Sequence, residues 1–102
     1  MSTLIVLFNL KPGVSVEDYE RWARATDLPV AGALASVDSF EVYKSMSLLG
    51  AVGRAPYQYI ERLVINDMDQ LGKDVGSAAM QAVSAQFQAF ADQPLFIVCE
   101  QL

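Results

Sequence analysis

The sequence predicts an α+β fold with elements in the order β-α-β-β-α-β. Three observations carry this. Four strand-like runs bounded by turn residues lie at 4–8, 40–49, 57–65 and 95–100. Stretches with apolar residues at helical spacing separate the first run from the second and the third from the fourth. The first and last runs are also apolar at both parities: Leu4, Val6 and Phe8 alternate with Ile5 and Leu7, and Leu95 and Ile97 with Phe96 and Val98. Such runs mark strands covered on both faces.

The first strand ends at Lys11-Pro12-Gly13, a turn signal. Ser15 then has the chemistry of an N-cap, with Asp18 three residues on. Tyr19, Trp22, Ala23 and Thr26 recur at helical spacing, and Glu17–Arg21 and Glu20–Arg24 form i,i+4 pairs on the other face, each contributing only about 0.3–0.5 kcal/mol. Pro29 lacks an N–H and disfavours helix at Leu28. The helix is therefore expected to break near Asp27 and resume briefly through Leu34. The second and third strands, 40–49 and 57–65, flank a Gly50, Gly53 and Pro56 loop longer than a tight hairpin. Asn66 or Asp67 is suited to cap a short helix through Val75 that Gly76 ends. Ser77 opens another, in which Met80, Val83, Phe87 and Phe90 form a narrow apolar stripe. Such a stripe is far more often core than cofactor box. Asp92 and Pro94 are expected to stop this helix before the last strand.

Short connections and right-handed crossovers turn this order into one four-stranded antiparallel sheet with helices on one face, the ferredoxin-like arrangement, in strand order 4-1-3-2. Helices then cover one face only, so a second subunit packed sheet against sheet is the simplest cover for the other. The expected assembly is a homodimer.

With 102 residues the chain is expected to be one domain, residues 1–102. Its hydrophobic share of 53% argues against disorder. The net charge is −5 and the seven Lys and Arg are scattered, which disfavours nucleic acid and anionic membranes as partners. There is no histidine, and Cys99 is the one cysteine. Metal, haem and Ser-His-Asp chemistry are accordingly disfavoured, no cofactor is expected, and an internal disulfide is impossible. The apolar start lacks a positive n-region and is broken by Asn9, so it reads as a strand and the location as cytoplasmic.

The candidate site residues are few. Tyr57, Tyr59 and Glu61 share a parity on a strand expected to be central. A buried Glu61 must be paired or hold its proton, which makes it a candidate acid, base or ligand anchor. The alternatives are a Glu61 facing solvent at the sheet margin or pairing with Arg54. Asp27, at the expected helix break, can accept hydrogen bonds from a ligand or simply cap the following helix. Tyr19, Trp22 and Tyr43 are candidates to line an aromatic cleft between helix and sheet, although each alone is more often plain core. Asn9 can bind a ligand or cap a turn. Cys99 reads as an inert buried thiol. The expected pocket lies between the sheet and the first helix beside Asp27 to Pro29, with Tyr59 and Glu61 facing it. The sequence leaves open which sheet face those two residues take.

Phe8-Asn9-Leu10-Lys11-Pro12-Gly13, Glu17-Asp18-Tyr19-Glu20-Arg21-Trp22, Thr26-Asp27-Leu28-Pro29 and Ser36-Val37 resemble the REDY-like (HapK-like) family. Pro56-Tyr57-Gln58-Tyr59-Ile60-Glu61, Asp67-Met68 and Phe87-Gln88-Ala89-Phe90-Ala91-Asp92 continue the resemblance over essentially the whole chain. Val16 stands where an Arg would complete the motif of the family name. The family is similar to dimeric α/β-barrel proteins, and its named member belongs to a prodigiosin-type pigment cluster. The resemblance thus implies a small-molecule role in secondary metabolism and fixes no reaction. Three roles remain: a small-molecule-binding or accessory protein of such a pathway, a cofactor-independent enzyme of cyclase or monooxygenase type acting on an aromatic or polyketide-like intermediate, and a ligand-sensing regulatory module.

Overall fold

The computed structural model describes all 102 residues. β1 (Ser2–Leu10) leads through a turn into α1 (Val16–Trp22), a π-helical turn (Ala23–Asp27) and α2 (Leu28–Gly32). β2 (Val37–Lys44) and β3 (Tyr59–Ile65) form a hairpin. α3 (Met68–Asp74), α4 (Ala78–Phe90) and β4 (Ala91–Cys99) complete the chain. The sheet is antiparallel in the order β2-β3-β1-β4, the expected order, and the fold is the ferredoxin-like α+β arrangement. No helix is long and apolar enough to cross a membrane.

Capping fixes the helix starts. The side chains of Ser15, Asp67 and Ser77 accept from the backbone N–H groups of Asp18, of Asp69 and Gln70, and of Met80, satisfying donors that the first turn leaves free. The core forms where the helices meet the sheet. Phe8 is fully buried and packs edge-on to Tyr19 and Phe87 and stacked on Tyr59, at centroid distances of 5.6, 5.0 and 5.5 Å.

Several boundaries differ from expectation, each for a visible reason. The first helix does not break at Asp27. It widens by one residue per turn, and the N–H of Leu28 donates to the carbonyl of Ala23. Pro29 cannot donate, and its ring would clash with the carbonyl four residues back; the wider turn removes that conflict. Arg21 pairs with Asp18 at 3.3 Å rather than with Glu17, while Arg24 does meet Glu20 at 3.5 Å. β2 begins earlier than expected, with a bulge between Val37 and Ser39, and stops at Lys44. β3 begins only at Tyr59, because the N–H of Gln58 donates to Asn9 Oδ1 instead of a neighbouring strand. β4 starts at Ala91, directly after α4. Asp92 and Pro94 lie within this strand, beside a bulge where Gln93 takes a φ of +45°. Proline is tolerated there because β4 is an edge strand. Cys99 is partly exposed rather than buried.

Candidate functional site

Strict alternation along β3 turns Tyr59, Glu61, Leu63 and Ile65 toward the helices, and all four are buried. Glu61 stands mid-sheet, opposite Val6 of β1 and Val42 of β2. It is 6% exposed, and its Oε2 has no hydrogen-bond partner. Burial, with a smaller contribution from the Asp27 carboxylate, pushes its pKa up to about 8.

Asp27 is delivered to the same place by the π-helical turn. Tyr19, Ala23, Asp27 and Ala31, spaced by four, are all buried. Four residues of α-helix overshoot a full turn by about 40°, so a regular helix would carry this row round toward solvent. The wider turn takes up the overshoot and keeps Asp27 facing inward. Asp27 makes no capping hydrogen bond, and burial pushes its pKa up to about 6.

Both carboxyls line a cavity of about 500 Å³ between the sheet and the helices. Its walls are mainly apolar and include Leu63, Ala31, Met80, Val83 and Phe87. Ser84 and Gln88 of α4 are its other polar side chains. A few convergent polar groups in an apolar cavity is the usual make-up of a small-molecule site. A raised-pKa carboxyl there can donate a hydrogen bond, and its ionised neighbour can accept one. No three His, Cys, Asp or Glu side chains converge in a way that would hold a metal ion.

The other candidates take different positions. Tyr19 and Tyr59 line a separate crevice of about 110 Å³ with Glu20, Arg24 and Lys44. The Tyr59 hydroxyl donates to Glu20 Oε2 at 2.7 Å, and Lys44 meets the same oxygen at 2.9 Å. The hydrogen bond and ion pair hold the Glu20 carboxyl below its usual range, while burial and Glu20 push the Tyr59 phenol up. Tyr19 is fully buried with its hydroxyl unpartnered. Burial raises its pKa first, and the charges of Glu61 and Asp27 add to that. Trp22 Nε1 donates to Gln86 Oε1 at 2.7 Å, and its ring packs on Phe90 and Phe87. Tyr43 does not join this cleft. It pairs across from Ile60, on the parity opposite to Glu61, and is 48% exposed. Asn9 uses both ends of its amide on the loop before β3, donating to the Pro56 carbonyl and accepting from the Gln58 N–H. Arg54 makes no ion pair with Glu61, whose two candidate structural readings, solvent exposure and pairing, both fail.

Sequence reasoning missed the contribution of α3 and α4. Met80, Val83 and Phe87 were legible as core, and they are buried; that they also wall a void was not. The four-residue row from Tyr19 to Ala31 was an available signal for an inward Asp27.

The fold and this cavity define a ferredoxin-like α+β protein with two buried carboxyls facing an apolar space. The family model for the REDY-like protein HapK matches residues 2–102, and the chain belongs to that family. It is similar to the crystal structure of HapK from Hahella chejuensis, with 25% identity, a TM-score of 0.79 and coverage of 100% of this chain and 93% of that one. A ferredoxin-like DABB family protein from Mesorhizobium loti shares 18% identity at a TM-score of 0.70, over 99% and 96% of the two chains. A dimeric ferredoxin-like protein from Thermobifida fusca shares 14% at 0.74, over 98% and 90%. No curated relative matches the chain.

Proposed function

We propose that this chain, as a single domain, forms a homodimer through the outer face of its sheet and holds an apolar small molecule beside Glu61. In this reading it serves as a binding or accessory protein in cytoplasmic biosynthesis of a secondary metabolite of the prodigiosin-pigment type. The observation that carries the reading is the unpartnered Oε2 of a 6%-exposed glutamate lining a cavity of about 500 Å³. An unsatisfied buried carboxyl costs stability, and a ligand donor would supply its missing partner. The dimer is supported by the outer sheet face, where Ile5, Leu7, Ile60, Val64, Leu95 and Ile97 share one parity. Leu95 and Ile97 are 46% and 42% exposed.

One observation favours a second reading, a cofactor-independent acid–base enzyme. Two carboxyls in one cavity have pKa values pushed to about 8 and about 6, which brackets neutral pH as proton transfer requires.

Titration with Nile red, a neutral apolar dye, tests the binding reading. Saturable binding of one dye per chain is expected, and Ser84→Trp, which fills the cavity from α4, should abolish it while the circular dichroism spectrum is retained. No saturable binding, or equal binding by the folded variant, would contradict the proposal.

A further inference from the structure

We infer that the cavity selects apolar compounds bearing a basic nitrogen and discriminates against carboxylic acids. The inference rests on the proposed binding role and names the chemistry of its ligand.

The electrostatic lining is one-sided. The cavity's ionisable side chains are Asp27 and Glu61. Those contributed by β1, β2, α3, α4 and β4 are all uncharged. The buried Tyr19 phenol, which feels the charges of both carboxyls, is neutral and unpartnered. Arg24 and Lys44 line the separate crevice with Glu20. An anionic ligand would therefore enter an apolar space facing carboxyls with no countercharge. An ammonium or amidinium would meet acceptors already stripped of water, so the protein's share of the desolvation cost is met on folding.

The orphaned Oε2 makes the requirement specific. Glu61 is held by strand geometry between Val6 and Val42, and no protein group satisfies that oxygen. A donor must come from the occupant. A bare divalent cation is a poor candidate, because hard cations take six or more oxygen ligands and these walls are mainly apolar. A nitrogen donor on an apolar body satisfies both the oxygen and the walls.

Proton balance follows. Near pH 7 the pair keeps about one proton, since burial and mutual repulsion oppose a second charge. Binding a cationic nitrogen stabilises the doubly ionised pair, so that proton leaves to solvent.

Three probes of one shape test the inference by calorimetry at pH 7: 1-naphthylmethylamine, 1-naphthalenemethanol and 1-naphthylacetate. The amine is expected to bind at least about tenfold more tightly than the alcohol, as a charge-assisted hydrogen bond implies, and the acetate most weakly. Comparison of phosphate and Tris buffers should show proton release with the amine only. Glu61→Gln should abolish the proton release and narrow the amine's preference over the alcohol to what the Asp27 carboxylate alone supplies. Alcohol binding equal to amine binding in the wild type, or tightest binding by the acetate, would overturn this inference while leaving a cavity that binds apolar ligands. Binding by none of the three would overturn the binding role as well.

Discussion

Glu61→Gln is expected to match the wild type to within about 1 kcal/mol at pH 4 and to exceed its stability by about 3–5 kcal/mol at pH 9. In the folded chain the Glu61 pKa is raised to about 8, against 4.5 for an unperturbed glutamate. Below pH 4.5 both folded and unfolded chains carry the proton, and the residue does not affect the balance. As pH rises, the unfolded chain releases its proton first while the folded chain keeps it. Wild-type stability therefore falls through this window and levels off above about pH 8. Glutamine keeps the shape, stays neutral and removes the loss. Asp27 adds a loss of the same sign between the unperturbed aspartate value of 3.8 and about 6, and both proteins retain it. Urea denaturation at fixed protein concentration across pH 4–9 measures the difference. Parallel curves for the two proteins would mean that Glu61 does not titrate as a buried acid.

Leu7→Asp is expected to weaken self-association by more than about 100-fold, because it would bury an unpaired carboxylate at several kcal/mol. Leu7 lies on central β1, between Ile60 of β3 and Leu95 of β4, away from the core that Val6 and Phe8 enter. The residues directly opposite it are uncharged, and the one basic residue diagonal to it on β3, Arg62, is already paired with Glu41 at 2.7 Å. The same substitution at Ile5 would be less informative, since Arg62 stands opposite and could pair with the new carboxylate. Sedimentation equilibrium should give a dimer for the wild type and a monomer for Leu7→Asp at micromolar concentration. A wild-type monomer, or a variant dimer of unchanged affinity, would count against the outer sheet face as the interface.

The fold was legible because local signals agreed with one another. Ser15, Asp67 and Ser77 have the chemistry of caps and act as caps. The unbroken apolar character of 4–8 marks a central strand, and β1 does lie between β3 and β4. Boundaries failed where side chains replaced ladder partners. Gln58 bonds to Asn9, so β3 starts late; a bulge lets Asp92 and Pro94 sit inside β4, so that strand starts early.

The site was legible in its polar members and not in its walls. Glu61 and Asp27 stand out as carboxyls in apolar settings, yet the face that Glu61 takes was not readable. Tyr59, Leu63 and Ile65 on one parity are no more apolar than Ile60 and Val64 on the other, so periodicity could not assign it. For the same reason Tyr43 was grouped with residues on the opposite face. The bend at Asp27 was inferred from Pro29, but a proline does not reveal whether a helix breaks or widens. The void beside Met80 and Val83 depends on spacing between elements, which no local pattern encodes.

Where a ligand sits is the central question, and methyl NMR answers it directly. With the Leu, Ile, Val, Ala and Met methyl groups labelled, titration of 1-naphthylmethylamine should shift Leu63, Val83, Ala31 and Met80, which line the cavity. Ile5, Leu95 and Ile97 on the outer face should stay in place. Shifts confined to the outer-face methyls, with the cavity methyls unmoved, would contradict the account.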